Sequence, residues 1–176
     1  MGVITFNLLR LKHRALAKLL TRFPSLSKRF IEAYTPWESE DVPWTAIEKP
    51  LCDSRVAIVT TSGVHNRNQE PFDMADPLGD PTFREIGGDW SLDDFTITHD
   101  YYDHTDADRD INIVFPIQRL KELVEEGVIG QVAKTHYGFM GHIDGHHIRT
   151  LVQETAPEVA GRLKTQKNDI VLLTPA

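Results

Sequence analysis

Apolar positions recur at helical spacing over residues 6–23. Leu8, Leu11, Ala15 and Leu19 form one stripe, Leu16, Leu20 and Phe23 adjoin it, and Arg10, Arg14 and Lys18 lie opposite. Pro24 stops this helix, and Ser25 or Ser27 is placed to cap a second short helix through Tyr34. An extended connector follows over 35–53, marked by Pro36, Pro43, Pro50, Trp37 and Trp44. Arg55-Val-Ala-Ile-Val-Thr60 is continuously apolar and β-branched, the pattern of a strand buried inside a parallel sheet. Residues 66–93 read as a long loop rich in Asn, Pro and Gly, a kind of segment that more often carries function than mere connection. Short strands are predicted at 95–98 and 111–115, and a helix from Pro116 to Glu126 with Gly127 as its stop. A strand around 132–138, one or two helices over 146–166 and a buried strand at Ile170–Leu173 complete the pattern. This alternation predicts an α/β class: an open, mainly parallel sheet with flanking helices, plus an N-terminal amphipathic helical extension. Residues 1–45 make the extension and connector, and 46–176 the α/β domain.

Composition narrows the classes. The chain has 176 residues and one cysteine, Cys52, so an intramolecular disulfide framework and a CxxC-type site are excluded within it. Cys52 has no neighbouring base in sequence and reads as a bystander thiol. Uncharged apolar runs stay well short of the roughly 18 residues of a spanning helix, so a soluble, cytoplasmic protein is expected. Charge is uneven. Seven of the 19 Lys/Arg fall in residues 1–30, which hold no acid, leaving twelve basic against 26 acidic residues in the remainder. That acidic body repels nucleic acid, and no nucleic-acid partner is expected. The basic segment reads as a helix docking on the domain or on a partner, and it also has the composition of a transit peptide. Phe6 stands where a myristoylation signal needs Ser or Thr.

Seven of the eight histidines follow residue 64: His65, His99, His104, His136, His142, His146 and His147. They gather at predicted strand ends and loops, where open α/β sheets bind ligands. Ser62-Gly63 after a strand is placed to cradle an anion with backbone N–H groups, without the full spacing of a nucleotide loop. Asp106-Ala-Asp-Arg-Asp110 begins like a calcium loop, but Ile111 and Ile117 occupy the positions that need Gly and Glu. Thr98-His-Asp-Tyr-Tyr-Asp-His104 resembles the HxHxDH motif of metallo-β-lactamase-type hydrolases, with Tyr101 in place of the second histidine. It gives one alternative, a metal-dependent hydrolase using the His99–His104 cluster. No metal is expected on the main reading.

Several segments together carry a more specific resemblance. They are Ser54-Arg-Val-Ala-Ile-Val-Thr-Thr-Ser-Gly-Val-His65, Gln69-Glu-Pro-Phe-Asp73, Asp80-Pro-Thr-Phe-Arg-Glu-Ile86, Thr98–His104, Asp110-Ile-Asn-Ile-Val-Phe-Pro116, His136-Tyr-Gly-Phe-Met-Gly-His142 and Asp169-Ile-Val-Leu-Leu-Thr-Pro175. In this order they resemble the selenoprotein B family of glycine, sarcosine, betaine and D-proline reductases over residues 50–176, the first 45 residues standing apart. The resemblance implies reductive cleavage of a C–N bond in a small amino-acid-like substrate, with a dithiol donor and other reductase subunits as partners. It implies no cofactor in this chain, but a pyruvoyl group on a partner subunit and a selenocysteine or cysteine nucleophile directly after the Leu-Leu-Thr-Pro segment. The chain stops at Ala176, so the expectation is an in-frame UGA codon read as a stop. A chain without the nucleophile is then expected to be inactive alone, and a non-catalytic partner-binding remnant is the further alternative; an oligomer is possible. Residues expected near the substrate are Thr61, Ser62, Gly63, His65, His99, Asp103, His104, His136 and His142. Carboxylate and amine recognition and proton delivery are their expected roles, for which the histidine pKa is suited.

Overall fold

A computed structural model describes residues 2–32 and 45–175. Helices α1 (Gly2–Arg22) and α2 (Pro24–Glu32) come first. The strands are β1 (Arg55–Thr60), β2 (Val64–Asn66), β3 (Phe83–Gly87), β4 (Phe95–Ile97), β5 (Gln131–Val132), β6 (Thr135–Phe139) and β7 (Ile170–Thr174). Between the later strands run α3 (Ile117–Glu125), α4 (His147–Thr150) and α5 (Ala156–Thr165). The connector's Pro36, Trp37, Pro43 and Trp44, Tyr34 and the final Ala176 lie outside the described residues. Contacts group the chain into two units, Met1–Ile47 with Asp100–Asp103, and Glu48–His99 with His104–Ala176.

In the second unit β1 is the organising strand. It pairs in parallel with β7 from Val56 to Thr60, with β5 at Arg55 and Val56, and with β6 at Val59 and Thr60. With β7 occupying one edge of β1, β5 and β6 share the other, and β3 closes that side antiparallel to β6. The sheet is therefore mixed but mainly parallel, with flanking helices, as the alternation predicted. Both faces of β1 are covered. Val56 and Ile58 join Val64, Ile86, Phe95, Phe115, Ile117 and Leu120 in one core, which draws on α3. Ala57 joins Tyr137, Phe139, Val159 and Leu163 in the other, which draws on α5. Burial on two faces is the physical reason for the unbroken apolar run.

Four expectations need correction. Residues 66–93 are not all loop: β3 lies within them and joins the main sheet, and it shows no apolar/polar alternation because Phe83 and Ile86 turn to opposite cores. The predicted strand 111–115 is a 3-10 turn, Ile111–Ile113, because the Asp110 carboxylate accepts the Asn112 backbone N–H (3.0 Å) and amide (2.9 Å) and folds the chain locally. Pro24 opens α2 instead of only ending α1, and the Ser27 hydroxyl donates back to the Leu20 carbonyl (2.7 Å). Finally β7 is not buried: Leu172 is 37% and Leu173 69% exposed.

The first unit has its own surprise. In α1 the side turned inward is Ala17, with Arg10 on the same side donating to the Asp100 carboxylate and His13 stacked on Tyr101 at 4.8 Å. The expected apolar stripe, Leu8, Leu11, Ala15 and Leu19, faces solvent.

Candidate functional site

Because β1, β6 and β7 are parallel, their C-terminal ends lie together. The Thr61 N–H donates to the Thr174 carbonyl (3.0 Å), joining the residue after β1 to the last residue of β7. Ser62 bridges Met140, just beyond β6, and the Gly63 N–H donates to the Phe139 carbonyl (2.9 Å). A third segment arrives from β4: Thr98 N–H donates to the Gly63 carbonyl (2.9 Å). Two glycines make this convergence possible. Gly63 has φ +72°, and a Cβ there would run into the Thr98 carbonyl and lie 3.1 Å from His99 Cβ. A Cβ on Gly141 would lie 2.6 Å from the Thr61 carbonyl and 3.3 Å from His99 Nε2.

Thr61, Ser62, Gly63 and His99 are thus brought together, with Gly141 between Thr61 and the His99 ring. Gly141 stands in the sequence only within the His136–His142 segment of the resemblance; its approach to Thr61 depends on how β6 ends beside β1. Ser62 is fully buried, and its hydroxyl is hydrogen-bonded to Thr60 Oγ1, which donates in turn to the Val114 carbonyl (3.0 Å). Thr174 Oγ1 donates to the same carbonyl (2.7 Å), so these hydroxyls brace the strand ends. His99 is 5% exposed.

The other histidines have separate settings. His65 bonds Thr98 Oγ1 through Nε2 and the Asn66 carbonyl through Nδ1, both at 2.8 Å, and meets Phe72 edge-on. Burial pushes its pKa down, the Asn66 carbonyl opposes this, and Arg84 adds to the lowering. It holds the Thr98 turn from behind. His142 follows Gly141 and engages the Pro77 carbonyl (2.9 Å). His104 pairs with Asp108 (2.8 Å), one turn on. Asp103 belongs to the first unit. His136 lies inside the sheet with no exposed surface: its Nδ1 accepts the Ile58 N–H (2.9 Å) in the gap between β5 and β6. Its Nε2 is buried without a hydrogen bond, and burial lowers its pKa to about 4 against the opposing pull of the Ala133 carbonyl. Among the described residues no three His, Cys, Asp or Glu side chains are grouped to hold a metal ion, so the hydrolase alternative finds no ligand set there.

The fold and this gathering of strand ends define an open, mainly parallel α/β protein with polar and histidine residues where such sheets bind ligands. More specifically, the chain belongs to the glycine/sarcosine/betaine reductase selenoprotein B family, whose model matches residues 5–176. The match takes in α1 and α2, which the sequence resemblance had set apart. Similar proteins include the D-proline reductase subunit gamma of Acetoanaerobium sticklandii, 41% identical over 81% of this chain and 57% of its own length. The sarcosine reductase complex component B subunit beta of Peptoclostridium acidaminophilum is 30% identical over 76% of this chain and 31% of its own length. The glycine reductase complex component B subunit gamma of Symbiobacterium thermophilum is 32% identical over 81% and 34%. The chain thus spans a little over half of the first relative and about a third of the other two. No solved structure matches it. None of the described helices is long and apolar enough to cross a membrane.

Proposed function

We propose that the chain is a component of a cytoplasmic reductase complex that cleaves a C–N bond in a small substrate of the glycine, sarcosine, betaine or D-proline type. The observation that carries this reading is the meeting of Thr61, His99 and Gly141 at the C-terminal ends of the parallel strands, in a chain of this family. Thr61 and the backbone around Gly141 offer polar groups to the substrate, and His99 moves the proton to the departing nitrogen. In the overall reaction a dithiol is oxidised to a disulfide and the carbon gains a hydrogen in place of nitrogen; the nitrogen takes up a proton and leaves as the amine from an open-chain substrate, or stays as the amine end of the opened chain from a cyclic one. The resemblance assigns the nucleophile to the position after the β7 segment, and the hydrogen bond from Thr61 to Thr174 puts the end of β7 beside Thr61. The pyruvoyl group that the resemblance assigns to a partner subunit lies outside this chain.

The test is C–N cleavage with a dithiol donor, read as released amine or, for a cyclic substrate, as the ring-opened primary amine, measured in the assembled complex. His99→Gln lowers turnover about 100-fold or more, the usual range for a lost proton-transfer group, while Thr61→Val chiefly raises KM. Unchanged turnover with His99→Gln would remove His99 from the site. His104→Gln, a substitution in a ring engaged by Asp108, serves as the comparison and leaves turnover within a few-fold.

A further inference from the structure

We infer that α1 is a membrane-surface helix that lays its outward face on anionic lipid. The inference starts from a conflict between pattern and burial. At 100° per residue, Arg10, His13 and Ala17 fall about 140–200° around the helix from Leu8. That side carries the bond to Asp100, the stack on Tyr101 and the buried Ala17. The apolar stripe is the opposite side, with Leu8 70%, Leu11 67% and Leu19 45% exposed, and Phe23 continues it at 49%. Large apolar side chains above and below Ala15 on one face are costly to hold in water, and burying them is worth on the order of 25 cal/mol per Å².

Charge selects what covers them. Lys12, Arg14, Lys18 and Arg22 are all exposed, and residues 1–30 contain no acid; by the same count Lys12 and Arg22 sit within the stripe, Lys18 at its edge and Arg14 beyond it. A protein groove would have to supply an acidic partner for each of these cations at a fixed position. Anionic headgroups meet them at any lateral placement, and the long stems let the charges reach the headgroups while the leucines enter the acyl boundary. With 21 residues, many of them charged, α1 lies along the interface and does not span it. The acidic remainder of the chain is repelled by the same surface, so the attachment is reversible and weakens with salt.

The test uses the full chain and sedimentation with vesicles of phosphatidylcholine, alone or with about a third phosphatidylglycerol. The wild type sediments with the anionic vesicles at low salt and binds neutral vesicles at least tenfold more weakly. Arg14→Gln/Lys18→Gln lowers affinity for the anionic vesicles about 10- to 30-fold, and Leu8→Glu/Leu11→Glu abolishes it. All four positions are exposed, and circular dichroism checks that both variants retain the wild-type helix content. A wild type that stays in the supernatant with both vesicles overturns the inference, as does equal binding by the Arg14→Gln/Lys18→Gln variant. Association with a reductase subunit that replaces vesicle binding and is lost in Leu8→Glu/Leu11→Glu would assign the face to protein and overturn it too.

Discussion

At the scale of single residues, the site is a matter of close approach. Gly63 adopts a left-handed φ and has the Thr98 carbonyl where a side chain would begin. Gly63→Ala therefore combines αL strain with a backbone collision and destabilises the chain by about 2–4 kcal/mol, read from urea unfolding. The proposed site residues Thr61 and His99 were legible in the sequence, since a polar turn after a buried strand and a histidine after a short strand are recognisable signals. Gly141 was not legible as their neighbour, because its approach to Thr61 is made by β6 ending beside β1. Nor does residue type reveal setting: His104 faces Asp108 near the surface, while His136 is enclosed by the sheet.

At the scale of elements, the contrast between β1 and β7 separates pattern from environment. Both are short apolar runs and both read as buried strands. Ile58 in β1 has no exposure, whereas Leu173 in β7 is 69% exposed. Ile58→Ala should cost about 2–5 kcal/mol, the range for truncating a fully buried side chain. Leu173→Ala should change stability by less than about 1 kcal/mol. Equal losses in thermal unfolding would mean that β7 is covered in solution. The same limit applies to α1, where helical period correctly marks the helix and its apolar stripe but not which side turns inward. Arg10 turns inward because Asp100, 3% exposed, needs a cation more than the leucines need cover.

At the scale of the whole molecule, one histidine ties the sheet to pH. His136 spans the gap between β5 and β6 as a neutral ring, with its pKa lowered to about 4 from 6.5. Between these values the unfolded chain binds a proton that the folded chain does not, so stability falls as pH drops from 6.5 towards 4 and levels off below it. The full loss is about 3 kcal/mol, to be followed by denaturant titration across pH 4–8. His136→Gln should flatten most of that slope; an unchanged slope would assign it to other groups. The sequence by itself determined the α/β class, the buried β1, the amphipathic α1 and the family, since these rest on local period and on the order of motifs along the chain. Tertiary structure alone decided that β3 joins the sheet, that 111–115 is a turn, that β7 and the stripe of α1 face water, and that Thr61, His99 and Gly141 meet. The reason is physical: period says which residues share a face, but only the packing of distant segments settles what that face touches.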